Sequence, residues 1–297
     1  MANDLLFSQT LLYNKENSEN VQEDIILAIK LIAVDLDGTL LTTTKQILPE
    51  TERILKQANS QGIKIVLASG RPLSGVKEFN KQLGLEGKKQ YDIVFNGAVI
   101  QDLAGNILMN QEMNYRDFTN MRKLQRLAHV NLHFETPECY WTCDRNIGVN
   151  LARNATFTNN VLKVRKAEEI TQDFTFNKVG LSVLDDEREV DKLWNNIPQW
   201  AFAKYDIVRS FSSIIEINIK DASKGNAVLQ LAERLKIKPS QIMVIGDQGN
   251  DVSMFTNPDF MKIAMGNAIE EIKDYANYVT EDNDHDGIAK AIKKFVL

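Results

Sequence analysis

From Lys30 onward, short apolar runs of strand length alternate with stretches whose apolar residues recur every three or four positions. The run "LIAV" (Leu31–Val34) is apolar throughout, the pattern of a parallel strand covered on both faces. A helical stretch follows, "PETERILKQANSQG", with Pro49 near its start and Gly62 after its end, each suited to that terminus. Strand "IKIVLASG", a helix from about Pro72 to Leu83 and strand "YDIVFNGA" continue the rhythm. It returns late in the chain with helix "KGNAVLQLAERLKI", capped by Ser223, and strand "QIMVIGD". A helix around "NDVSMF", strand "MKIAM" and helices "AIEEIKDYA" and "DGIAKAIKKFVL" complete it.

Such alternation predicts an α/β fold, a doubly wound, Rossmann-like parallel sheet. Residues 99–211 break the rhythm, mixing strand-like pieces ("NLHF", "KVGLSVL", and "SIIEINI" at the far end) with helices such as "YRDFTNMRKLQRLA" and "EREVDKLWNNI". They are expected to form a separate α+β domain inserted into a core made of residues 29–98 and 212–297. Residues 1–28 read as an N-terminal extension laid on the surface, with a polar centre, "NKENSENVQED".

The first strand does not end as a core strand should. Asp35 and Asp37 follow it two residues apart, with Gly38 and Thr39 directly after. Two like charges at the end of a buried strand need a compensating partner. In an open parallel sheet, ligands bind at the carboxyl ends of the strands. Three predicted strands end in polar residues there: Asp35 with Asp37, Ser69-Gly70-Arg71, and Asp247 with Asn250 and Asp251. A divalent cation would turn the repulsion of Asp35 and Asp247 into attraction. Mg²⁺ suits the donors, taking hard oxygen ligands at roughly 2.0–2.1 Å and completing its shell with water and phosphate. Alternate side chains on a straight strand stand about 6–7 Å apart, so Asp37 is expected to offer its backbone carbonyl and keep its carboxyl free.

Several of these residues have plainer readings. Ser69 could cap a helix before Pro72, and Asn250 and Asp251 could cap the helix that follows them. Lys224 could be a solvated lysine, although a cation in a helix's first turn opposes the macrodipole. Asn96 and Gly97 read as a hinge turn, and Arg71 as a structural ion-pair member.

Composition narrows the partners. The 297 residues carry a net charge of −5, which argues against nucleic acid as a partner but not against a small phosphorylated ligand. No apolar run reaches the roughly 20 residues that span a bilayer, and the first 28 residues lack the features of a signal peptide. With only two cysteines, the chain is expected in the cytoplasm. A monomer or a homodimer is expected, and the residues do not choose between them. Cys139 and Cys143 follow His129 and His133 at spacings that superficially suit zinc. The local pattern is extended, however, and strand residues four apart lie roughly 13 Å from each other, so the cysteines are expected to be buried or half-buried thiols.

"DLDGTL" with "ASGR", "SKG" and "GDQGND" resembles the haloacid dehalogenase (HAD)-like phosphatases. "FNGA" before the insert and the tail "MGNAIEEIKDYANYVTEDNDHDGIAKAIKKF" are similar to the Cof-type subfamily, close to bacterial sugar-phosphate phosphatases. The resemblance covers about residues 29–297. It implies that Asp35 is the nucleophile forming an aspartyl-phosphate and that Asp37 is the general acid and then base. It further implies that Leu36, Ser69, Gly70, Lys224 and Asn250 hold the phosphoryl group, and that Lys224 neutralises charge there. Asp35, Asp37, Asp247 and Asp251 would bind Mg²⁺, and the insert would be a cap that closes over the site and selects the leaving group. The function implied is hydrolysis of small phosphorylated metabolites, in particular sugar phosphates. A phosphomutase and a non-catalytic phosphate- and Mg²⁺-binding regulator are the alternatives. The insert is large and strand-rich for a mutase, and retention of every catalytic residue type argues against the regulator.

Overall fold

The computed structural model describes residues 29–297, so the expected N-terminal extension lies outside the described residues. In chain order the elements begin with β1 (Leu31–Val34), α1 (Pro49–Ser60), β2 (Lys64–Ala68), α2 (Lys77–Gln82), β3 (Gly87–Val94), β4 (Val99–Leu103) and β5 (Ile107–Asn110). Next come α3 (Tyr115–Gln125), β6 (Val130–Glu135), β7 (Tyr140–Thr142), α4 (Val149–Phe157), β8 (Leu162–Val164) and β9 (Lys178–Val183). Helices α5 (Arg188–Asn196) and α6 (Gln199–Lys204), strands β10 (Tyr205–Phe211) and β11 (Ile214–Ile219), and α7 (Lys224–Leu235) follow. The last elements are β12 (Ile242–Gly246), α8 (Val252–Phe255), β13 (Met261–Ala264), α9 (Glu270–Tyr275), β14 (Tyr278–Val279) and α10 (Gly287–Phe295). Two compact units result. The first holds the described residues up to Val66 together with Ala232–Leu297, and the second holds Leu67–Leu231.

In the first unit the strands run β14-β13-β12-β1, all parallel. Every residue of β1 and β12 is buried, as their unbroken apolar sequences require. Their register pairs Leu31 with Ile242 and Val34 with Ile245, so both strands run out at the same edge. Helix α1 buries Ile54, Leu55 and Ala58 along one stripe, and α10, which packs on α1, buries Ile288, Ala291, Ile292 and Phe295. Each large apolar side chain so buried contributes about 1.5–3 kcal/mol.

The second unit contains an antiparallel set, β3-β4-β5, and a six-stranded sheet ordered β10-β11-β9-β6-β7-β8. Residues 99 and 211, the expected bounds of the insert, each fall within a hairpin: Val94 pairs with Val99, and Phe211 with Ile214. On the six-stranded sheet, Leu132, Phe134, Val179, Leu181, Ile215 and Ile217 join a core with Phe118 and Met121 of α3 and Leu193 of α5. The alternate positions Asn131, His133, Glu135, Lys178, Ser182 and Asn218 are polar, and they too are buried. A sheet of this kind more commonly leaves its polar face in water.

The helix expected from Pro72 to Leu83 is instead a 3-10 turn, Leu73–Gly75, followed by α2. Ser74 and Gly75 are poor helix formers and interrupt it. Cys139 is buried and Cys143 half-buried, both as free thiols. Tyr140 is fully buried, and Trp141 packs against the second unit's core.

Candidate active site

Asp35 stands one residue past β1 and Asp247 one residue past its neighbour β12; the Asp35 N–H donates to the Ile245 carbonyl at 3.0 Å. Strands side by side that end level must bring these two residues close. A 3-10 turn at Gly249–Asp251 then brings in Asp251. One carboxylate oxygen from each of Asp35, Asp247 and Asp251 lies within 4.8 Å of the others, and all three residues are buried.

Two glycines make that approach possible. Gly38 has φ +85°, and a β-carbon there would lie 2.4 Å from Asp247 Oδ2. A β-carbon on Gly246 would lie 2.6 Å from Asp251 Oδ2. The loop after β1 closes on itself, with the Leu40 and Leu41 amides donating to the carbonyls of Asp35 (3.2 Å) and Leu36 (2.9 Å). Thr39 Oγ1 donates to Asp247 Oδ1 at 2.7 Å, and Asn267 Nδ2 donates to the Gly38 carbonyl at 2.8 Å. Asp251 Oδ2 accepts from the amides of Asp247 (2.9 Å) and Gln248 (3.1 Å), so it caps its turn while belonging to the carboxylate cluster.

The Asp37 carboxylate lies outside the cluster. Its Oδ1 accepts from Lys45 Nζ at 2.7 Å, and both side chains are partly in solvent. Leu36 is buried between the aspartates, and Asn250 lies in the 3-10 turn. Thr39 and Asn267 are members of this site that strand patterning does not single out. Asn267 does carry a signal, because it is a further polar residue soon after a strand end, three positions past β13.

Ser69, Gly70 and Lys224 belong to the second unit, where a left-handed turn arranges their surroundings. Phe95 (φ 52°), Asn96 (φ 54°) and Gly97 (φ +99°) are three consecutive residues with positive φ. The Asn96 amide donates to the Ser69 carbonyl at 3.0 Å, and a β-carbon on Gly70 would lie 2.8 Å from Asn96 Oδ1. A β-carbon on Gly97 would lie 2.2 Å from the Ser223 carbonyl oxygen, so only glycine lets this turn press on the start of α7. Residues held in such conformations are over-determined by their surroundings and cluster at functional sites. Lys224, the first residue of α7, is fully buried, and Ser223 Oγ caps the helix by accepting from the Asn226 amide at 3.3 Å. The Arg71 guanidinium donates to the Gly75 carbonyl at 3.2 Å and lies 4.2 Å from the Phe157 ring centroid.

Three buried carboxylates within 4.8 Å form a hard-oxygen donor set that fits a divalent cation. Without a positive partner they would repel at close range in a poorly solvated setting. Such a donor set at the carboxyl edge of a parallel sheet, where ligands bind, suits a cation and with it an anionic ligand. The chain belongs to the haloacid dehalogenase-like hydrolases, whose family pattern matches residues 32–292. Within that family it is a phosphatase.

A Streptococcus pyogenes protein, "Putative phosphatase M6_Spy0533", is 37% identical over 277 residues, covering 91% of this chain and 100% of its own. "5-amino-6-(5-phospho-D-ribitylamino)uracil phosphatase YcsE" of Bacillus subtilis is 29% identical over 272 residues, covering 91% and 96%. Among solved structures, the HAD subclass IIB sugar phosphatase BT4131 superposes with a TM-score of 0.73 at 25% identity, over 90% of this chain and 98% of its own. No described helix is long and apolar enough to cross a membrane.

Proposed function

We propose that this protein is a cytoplasmic, Mg²⁺-dependent phosphatase that hydrolyses small phosphorylated metabolites, chiefly sugar phosphates, through an aspartyl-phosphate on Asp35. The observation that carries the proposal is the buried position of Asp35 at the end of β1, beside Asp247 and Asp251. In the first step an Asp35 carboxylate oxygen bonds to phosphorus as the bond from phosphorus to the leaving oxygen breaks. Asp37 gives its proton to that oxygen. In the second step Asp37 takes a proton from water as the water attacks phosphorus; the Asp35–phosphate bond breaks and inorganic phosphate leaves. The contact of Asp37 with Lys45 is at the surface, where such pairs contribute only about 0–1 kcal/mol, so Asp37 can exchange it for substrate at little cost.

When bound, Mg²⁺ supplies charge compensation; the residues that would hold it are Asp35, Asp247 and Asp251 through side chains and Asp37 through its carbonyl. The Leu36 and Gly70 amides, the Ser69 hydroxyl, Lys224 and Asn250 serve the phosphoryl oxygens. Such positioning and charge compensation are the main requirements of phosphoryl transfer. The α+β segment, expected at residues 99–211, acts as the cap that selects the leaving alcohol. A sugar or ribityl phosphate as substrate is supported by the likeness to BT4131 and YcsE.

The test is a panel of phosphate esters, assayed with and without Mg²⁺, on wild type and Asp35→Asn. Release of inorganic phosphate by the wild type alone supports the reading, as does a preference for sugar or ribityl phosphates. Full activity in a correctly folded Asp35→Asn protein refutes the nucleophile, and isomer formation in place of phosphate release would favour a mutase.

A further inference from the structure

On the polar face of the six-stranded sheet sits a buried charged cluster that the proposed chemistry does not use. Lys178 of β9 forms an ion pair with Glu216 of β11, and its Nζ lies 3.8 Å from Glu135 Oε1 of β6. Glu135 also meets His133 Nε2 at 3.2 Å, and the His133 ring stands where a β-carbon on Gly180 would lie 2.1 Å from its Cε1. Lys178, Glu135 and His133 are nearly or fully buried, so ordering this set is costly and calls for a physical reason. Burial pushes the Lys178 amine down, but Glu135 and Glu216 outweigh it and keep the lysine charged. Burial likewise raises Glu135, and Lys178 and then His133 more than offset it.

The charge so maintained reaches beyond its own sheet. Lys178 Nζ donates to the Gly70 carbonyl at 3.4 Å. A peptide unit is planar and trans, so a fixed Gly70 carbonyl fixes the direction of the Arg71 N–H on the opposite side of the same plane. That N–H donates to Ser69 Oγ at 3.1 Å. A hydroxyl oxygen that accepts from Arg71 directs its own proton elsewhere, toward an incoming acceptor. The preceding peptide is held in the same way, its Ser69 carbonyl accepting from the Asn96 amide at 3.0 Å.

We propose that Lys178 is a positioning residue: it orients the Ser69 hydroxyl through the Gly70–Arg71 peptide, while Glu135 and Glu216 keep it charged. This rests on the reading of Ser69 as a phosphoryl ligand. Removing Lys178 alone would strand two buried carboxylates, so the test uses Lys178→Met combined with Glu135→Gln and Glu216→Gln. In this triple variant, kcat/KM for p-nitrophenyl phosphate should fall about ten- to hundredfold, the scale of a misplacement near 1 Å. Added to Ser69→Ala, the same three changes should alter kcat/KM by no more than about twofold, because coupled residues are not additive.

Hydrogen exchange of the Arg71 amide should accelerate in the triple variant, independently of turnover. Additive losses in the Ser69→Ala background, or unchanged Arg71 exchange in a folded triple variant, would overturn the proposal. Should the wild type fail to cleave any phosphate ester, the phosphatase reading falls, while Arg71 exchange still decides whether Lys178 holds the turn.

Discussion

Thr39 and Asp247 are 208 positions apart, yet the Thr39 hydroxyl donates to Asp247 Oδ1 at 2.7 Å in the interior of the first unit. The bond ties the loop after β1 to the end of β12 and orients one of the three clustered carboxylates. Thr39→Val keeps the shape and removes the donor. Losses of outer-shell partners typically weaken metal affinity by about 10–100-fold, so the Mg²⁺ concentration for half-maximal activity should rise by that factor. An unchanged Mg²⁺ titration would show that the hydroxyl has no part in holding the site.

Gly38 and Gly62 separate strain from crowding. Both have positive φ, +85° and +91°, but a β-carbon at Gly38 meets Asp247 Oδ2 at 2.4 Å, whereas one at Gly62 meets nothing within 4 Å. Each Gly→Ala change should lower the unfolding free energy by about 1–2 kcal/mol for the left-handed conformation. Only Gly38→Ala should also abolish turnover, by displacing Asp247. Comparable activity in the two variants, measured beside urea denaturation, would contradict the crowding argument.

The closeness of the Asp35, Asp247 and Asp251 carboxylates gives cation binding there a direct effect on stability. A ligand that binds only the native state adds about 2.7 kcal/mol at one hundred times its Kd. Added Mg²⁺ should therefore raise the Tm of the wild type, and a chelator should lower the Tm of protein purified with the metal. Asp247→Asn should blunt the response. A Tm indifferent to Mg²⁺ in the wild type would argue against a cation among these carboxylates.

Asp92 should make stability depend on pH. Burial pushes its carboxyl from 3.8 up to about 7, with Asn80, whose Nδ2 donates at 2.5 Å, opposing part of the rise. The native state thus holds the proton more tightly than the unfolded chain. The stabilisation is complete below about pH 4 and is lost as the pH climbs through 7. Asp92→Asn removes the titration, so relative to wild type the variant should gain stability between about pH 4 and 7, at about 1.4 kcal/mol for each pH unit, and level off above that. Parallel stability curves for the two proteins would refute the assignment.

Much of the site's plan is legible in the order of residues alone. β1 and β12 are apolar throughout because both faces are covered, and such strands announce both their burial and the point where charge interrupts them. Asp35 and Asp247 can therefore be placed at strand ends on the carboxyl edge, whereas the pairing of β1 with β12 and the turn that brings in Asp251 come from the fold. The helix from Pro72 to Leu83 misleads because apolar spacing does not register the local cost of Ser74 and Gly75. Strands β7 and β8, of three residues each, and β14, of two, are too short to carry a period.

The linear order of residues settled which strands are buried, where their carboxylates fall and which glycines the turns require, because each is a local consequence of side-chain polarity or backbone freedom. Only tertiary structure decided that Thr39 serves Asp247, that Asp37 turns to Lys45, that Gly97 leans on Ser223 and that Lys178 reaches Gly70. Those pairings join segments brought within reach by the way strands order themselves in a sheet, and no local property of the chain encodes that distance.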